Sequence, residues 1–289
     1  MGGFTVKVVN LIKYDLREGY RQAGTKLIGI VFITLFSCIE FYIEKGNYNA
    51  HYAEIIDHAT CADYLCFLLE GMHPFRPKVE TTFVIPIRWL LIHLFLLYAV
   101  LYYPYRDLVQ SIGSVLVIKM GSRKRWWFSK CLWMVTYILC SYILMMCTVI
   151  VFCCLMGEKI SIRVSPLVMQ TLMDSQTQNT SFPLKASAVV LLLPLLITIT
   201  FSWLQMLLGL IIKPLFAYGV IVAIYVASAY FNKAFLIANY AMPVRSMYFI
   251  EQGYSLLEGI FVSVIVSIIT FFMGTFMFSH YDILKVTEM

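Results

Sequence analysis

Six apolar runs, each close to the length of a bilayer-spanning helix, constrain this chain more than any other feature. They cover residues 27–43, 83–103, 131–156, 188–212, 215–231 and 259–278. A spanning helix needs about 20 predominantly apolar residues. Apolar side chains make up 61% of the 289 residues and charged ones only 13%, about half the charged share of a globular domain. A soluble core of this size has no room for so many apolar side chains. The expected fold class is therefore an all-α integral membrane protein with six transmembrane helices, forming one transmembrane domain over 1–289. The fourth and fifth runs are separated only by Lys213-Pro214. One helix through both is too long for a bilayer, and proline breaks a helix interior, so a tight hairpin is expected there.

Orientation follows from lysine and arginine in the flanking loops. With a cytoplasmic N-terminus, the inner segments hold 13 of the 22 cations and five of the 16 acids, a balance of +8. The outer segments then carry −2, and the two sum to the net +6. Six spans return the C-terminus to the cytoplasm. Ahead of the first run, Phe4, Val8, Leu11, Ile12 and Leu16 recur at helical spacing, with Lys7, Lys13, Arg17 and Arg21 mostly on another face. That pattern predicts an amphipathic helix over 4–21 lying in the membrane interface. Residues 1–22 lack the compact apolar core and small-residue cleavage site of a secretory signal, so none is expected.

Three outer loops are expected. Residues 44–82 read as a long acidic loop with Glu44, Glu54, Asp57, Asp63, Glu70 and Glu80. Residues 157–185 are polar, and "DSQTQNTS" within them reads as exposed chain. Residues 232–257 are too polar to span and too apolar to float free, so they lie at the interface or dip back between helices. Six of the eight cysteines fall in apolar runs, where cysteine acts as a small apolar residue. Cys61 and Cys66 lie in the first outer loop near His58 and His73, but without the CxxC spacing of a zinc site. They read as structural cysteines, and no metal is expected.

The chemistry of the chain is marked by absences. The sequence has no GxxxxGK[ST] phosphate loop, no HExxH and no GxSxG, which excludes ATP hydrolysis, metalloproteolysis and esterase chemistry by those devices. Ionisable residues inside spans are expensive and so are the usual functional suspects. Glu40, Arg88 and Glu258 fall near span ends on the outer side, where an interfacial structural role stands beside contact with a translocated substrate. His93 lies deeper, as a packed core histidine or a relay. Pro194 interrupts "LLLPLLITIT" and loosens the fourth span, making these five the candidate path or gating residues. Gly209, Gly219 and Gly274 permit close helix approach.

The stretch "MGSRKRWWFSK" (120–130) sets Arg123, Lys124, Arg125 and Lys130 beside Trp126 and Trp127. Cations and tryptophans at a membrane exit anchor a chain at the lipid surface. Four cations there fall short of a nucleic-acid face, and no nucleic-acid partner is expected. The inner loop 105–130 also carries its own apolar run, "IGSVLVIKM", a mixture of shape and charge that suits a partner protein.

These features resemble the permease subunit of bacterial ABC-2-type transporters. In that family the loop between spans two and three reads as an acidic residue, Gly-Thr, a hydrophobic stretch, Ser-Arg, and Ser/Gly-Lys at the start of span three. Here Asp107, Gly113-Ser114, "VLVI", Ser122-Arg123 and Ser129-Lys130 stand in those places, and Asp282-Ile283-Leu284 follows the last run. The proline that often precedes Ser-Arg is replaced by Met120-Gly121. The resemblance covers essentially the whole chain. It implies a subunit in the bacterial cytoplasmic membrane, paired with a second permease chain, identical or related, and with two ABC ATPase subunits. This chain itself binds no cofactor; ATP and Mg belong to the ATPase partners. The loop 105–130 is then the docking and coupling element, with Asp107, Gly113, Ser114, Ser122, Arg123, Lys124, Arg125, Trp126, Trp127 and Lys130 as its residues. Substrates in that family include peptides, bacteriocins, drugs and lipid-linked polysaccharides, and the 19 Tyr and 21 Phe of this chain favour an amphipathic or hydrophobic cargo such as an antimicrobial peptide. The competing expectation is a non-transporting immunity or accessory protein that binds a peptide at its acidic outer face.

Overall fold

The computed structural model describes residues 2–52, 55–75, 82–109, 123–173, 175 and 184–280. Ten α-helices lie among the described residues. They are α1 (Gly2–Ala23), α2 (Lys26–His51), α3 (Cys61–Leu69), α4 (Ile87–Leu101), α5 (Tyr103–Val109), α6 (Arg123–Met156), α7 (Pro166–Thr171), α8 (Leu184–Leu208), α9 (Pro214–Tyr230) and α10 (Leu256–His280). No strand occurs among them beyond two isolated bridges, Thr60 with Lys159 and Ser246 with Tyr254. The fold is all-helical.

Five helices are long and apolar enough to cross a membrane: Lys26–His51, Ile87–Arg106, Arg123–Met156, Lys185–Leu208 and Leu256–His280. The chain is a multi-pass membrane protein on that ground. The sixth expected span is the shorter apolar helix α9, whose 17 residues reach about 26 Å at 1.5 Å per residue. Pro214 takes the first helical position of α9, where its missing N–H is no loss. The turn before it closes through Ile211 and Ile212 amides donating to Leu208 O.

Two element boundaries differ from expectation in ways that matter. Helix α2 runs on to His51, so Glu44 sits on a helix and not in a loop. Helix α6 begins at Arg123, eight residues ahead of the apolar run, so 123–130 is its first two turns and not part of a loop. The rest of the expected docking loop divides between α5 and residues 110–122, which lie outside the described set.

The segment 44–82, expected as an acidic outer loop, also contains α3, all nine residues of which are buried. Thr60 and Asp63 close a capping box at its start: the Asp63 amide donates to Thr60 Oγ1 at 3.2 Å and the Thr60 amide to Asp63 Oδ2 at 2.8 Å. Gly71, at φ +78°, supplies the left-handed turn after its last residues. Helix α3 packs between α2, α4, α6 and α8 and anchors a buried apolar cluster with Phe41, Ile92, Val149 and Val190.

Two ends of the bundle follow. At the end that we term the cap, amide hydrogen bonds join the segments expected as outer loops: Lys159 N to Ala59 O at 2.9 Å and Val244 N to Glu70 O at 3.3 Å. At the N-terminal end, α1 packs along α6, and Trp126, Trp127, Trp133 and Tyr137 form a buried aromatic core with Phe278 of α10. Between the ends, large apolar side chains point outward; Phe36, Phe261 and Phe276 are 70%, 67% and 69% exposed. Such a belt is the surface of a protein solvated by lipid.

Candidate functional site

Helix α1 buries an i, i+4 stripe of Leu11, Asp15, Gly19 and Ala23. Three of the four are small or apolar, and the exception decides the site. Asp15 is fully buried and accepts hydrogen bonds from three neighbours. Lys130 Nζ donates to Oδ1 at 2.6 Å, Tyr103 OH to Oδ1 at 2.8 Å, and Ser129 Oγ to Oδ2. Lys130 is equally buried, and its ammonium lies 4.2 Å from the centroid of the Tyr103 ring and 5.3 Å from that of Trp126. A buried charge is tolerated only when paired and hydrogen-bonded, and here both conditions are met. The result is an ionic latch joining α1, the start of α5 and the start of α6.

The latch has a close packing frame. A Cβ on Gly19 would fall 2.0 Å from Trp133 Nε1, and one on Gly274 would fall 1.9 Å from the Trp127 ring. Trp126 stacks on Phe278 at 4.4 Å. Arg123 Nη1 donates to Ser279 O at 3.2 Å, tying the first residue of α6 to the last turn of α10. Tyr105 OH donates to Met206 O at 2.6 Å, bringing in α8. The described residues on either side of the segment 110–122 thus sit on a rigid platform made from five helices.

A second ionic assembly occupies the cap end. The Arg88 guanidinium meets three carboxylates: Glu70, Glu40 at 3.1 Å and Glu44 at 3.8 Å, with its plane 3.6 Å from the Phe67 ring centroid. Burial pushes the Glu70 carboxyl up to about 7, against the opposing pull of Arg88. Beside it, the buried Glu158 accepts from Lys45, from Ala59 N at 2.7 Å and from Tyr64 OH at 3.2 Å. Asp63 bonds Ser165 N at 2.7 Å through the oxygen that the capping box leaves open. Burial raises its carboxyl to about 7, while these backbone N–H donors pull the other way. The structure therefore folds Asp63, Glu70 and Glu44 of the expected acidic loop inward or onto Arg88. Arg245, also buried, directs all its N–H donors at oxygens of Met72, His73, Ser228, Ala229 and Asn239.

The sequence-named residues distribute as follows. Trp126, Trp127 and Lys130 are interior. Lys124 is exposed, and Arg123 and Arg125 are half-buried. Gly113, Ser114, Ser122 and Asp282 to Leu284 lie outside the described residues, as do the side chains of Phe4, Val8 and Asp107. Leu11 is buried and Ile12 partly so. Glu40 and Arg88 come together at the cap. Glu258 is exposed and caps α10, accepting from Ser255 N at 2.9 Å while its amide donates to Ser255 Oγ at 3.1 Å. His93 is buried with Nδ1 2.8 Å from Trp89 O and its ring beside Tyr225. Helix α8 continues through Pro194, whose carbonyl accepts from Thr198 Oγ1 at 2.7 Å. Cys61 and Cys66 are both free, and no cluster of metal-ligating side chains occurs among the described residues.

Sequence reasoning missed Asp15 and Tyr103, and placed Ser129 only as the start of the third span. A signal for the first was present: Asp15 stands four residues after Leu11, inside the apolar stripe of α1, and an acid there demands a buried cation. No protein-family model, no curated protein and no solved structure matches this chain.

Proposed function

We propose that this chain is the membrane-spanning subunit of an ATP-driven transporter of the ABC-2 type, exporting an amphipathic or hydrophobic cargo. Helix α9 is taken as the sixth span, with both termini in the cytoplasm of a bacterial cell and the latch at the cytoplasmic end. The observation that carries the reading is the Asp15–Lys130 pair. It fixes an amphipathic N-terminal helix to the start of α6, the helix end that follows residues 110–122. A loop pushed from the cytoplasmic side then moves α1 and α6 together, and the platform passes that motion to α8 and α10. Two ATPase subunits carrying ATP and Mg supply the push, and a second permease chain completes the path. Asp107, Gly113, Ser114 and Ser122 form the contact with the ATPase, and Arg123 holds the loop end to α10.

The rival reading, an immunity or accessory protein with an acidic peptide receptor, loses support because Asp63 is buried and Glu44 and Glu70 are engaged by Arg88. The test is affinity purification in mild detergent with an assay of ATP hydrolysis. A stoichiometric ATPase is expected to co-purify and to be lost from Asp107→Lys and Ser122→Trp variants that insert normally. A chain isolated alone, without ATPase activity, would overturn the proposal.

A further inference from the structure

A groove of about 450 Å³ runs between α8 and α10 on the outward surface of the bundle, bordered toward the N-terminal end by Phe128 of α6. Its volume is that of a site for one small ligand, and its walls are almost wholly apolar. The floor is polar only in name. Thr200 donates to Leu196 O at 2.9 Å and shares a 2.9 Å bond with Ser267 Oγ, while Ser263 donates to Gly259 O at 2.6 Å. With these hydroxyls partnered, the groove makes no hydrogen-bonding demand on an occupant, which suits hydrocarbon. From Val264 to Phe272 it follows α10 for about 12 Å at 1.5 Å per residue.

The mouth near Phe128 has the opposite character. Lys124 lies one turn before Phe128, on the same helix face, and both are exposed. Arg123 and Arg125 flank it. Helix α6 carries no Asp or Glu along its 34 residues, and the only acid on α10 is Glu258 at the far end. Among the described residues, an apolar slot in the outward surface therefore ends beside the exposed Lys124, with no acid on the adjoining turns of α6 or α10.

We propose that this groove binds one acyl chain of an anionic phospholipid from the leaflet at the N-terminal end, with the lipid phosphate held by Lys124. The site is separate from the latch and does not rest on the transporter reading. It makes α10 and α6 responsive to the charge of the surrounding lipid.

The test is native mass spectrometry of the full chain extracted from vesicles of equal phosphatidylglycerol and phosphatidylcholine with identical acyl chains. Retention of phosphatidylglycerol over phosphatidylcholine by about fivefold is expected, the factor given by one cation at the surface. Lys124→Gln is expected to abolish the preference. Val264→Trp, which fills the groove from an exposed position, is expected to lose both lipids while its melting temperature holds. Equal retention of the two lipids, or a preference unchanged in both variants, would overturn the proposal. So would a disulfide cross-link between two Val264→Cys chains in membranes, which would assign the groove to a second copy of the protein. None of these readouts depends on an ATPase.

Discussion

At Asp15 a single carboxylate joins three elements, and its energetics follow from burial. Removing one partner of a buried ion pair strands the other, at a cost of about 3–5 kcal/mol, whereas replacing both by apolar groups is often neutral. Asp15→Asn and Lys130→Met alone are each expected to lower resistance to denaturant by that amount. The double variant Asp15→Leu with Lys130→Met is expected to recover most of it. An unfolding titration in detergent reads both, and additive losses would remove the latch from the account. Glu70 gives a prediction of a different kind. Its carboxyl is raised to about 7, above the ordinary carboxylate value, so folding takes up a proton between those values. Its contribution to stability is full at low pH and is lost as pH rises through about 7. Melting at pH 5 and pH 8 is expected to differ in the wild type in that direction, and Glu70→Gln is expected to remove that part of the difference.

At the scale of elements, what the sequence disclosed depended on periodicity and length. The apolar runs announced their helices, and the spacing of Leu11, Ile12 and Leu16 announced α1. Helix ends were less legible, because charged and aromatic residues such as Arg123 to Trp127 continue a helix as readily as they leave one. The burial of Trp126 and Trp127 depends on Phe278 and Gly274, more than 140 positions away. The same limit hid α3. "CADYLCFLL" is too short to span and follows acidic chain, so only its enclosure by four helices identifies it as core. Of the three glycines flagged for close approach, Gly209 meets Tyr105 and Gly274 meets Trp127, while Gly219 meets nothing within 4 Å. Gly19 was not singled out, yet it sets the distance between α1 and α6. Gly19→Leu is expected to free α1 from Trp133, seen as faster proteolysis within 4–21 while the remaining helices stay protected.

For the whole molecule, the two ends make a directional prediction. A cysteine placed at Lys213 is expected to react with impermeant reagent from the same side as one placed at Lys124, and one at Phe235 only from the other side. Matching labels at 213 and 235 would break the six-span reading. The cap end also carries information about time. Arg245 reaches back to Met72 and His73 and across to the last carbonyls of α9, and a ribosome makes those partners first. Until the chain has emerged beyond residue 245, the Ser228 and Ala229 carbonyls at the end of α9 and the Met72 and His73 carbonyls after α3 lack this shared donor. A nascent chain stalled before that point therefore displays an unclosed cap, and one arginine closes it before the last long helix, α10, has been made.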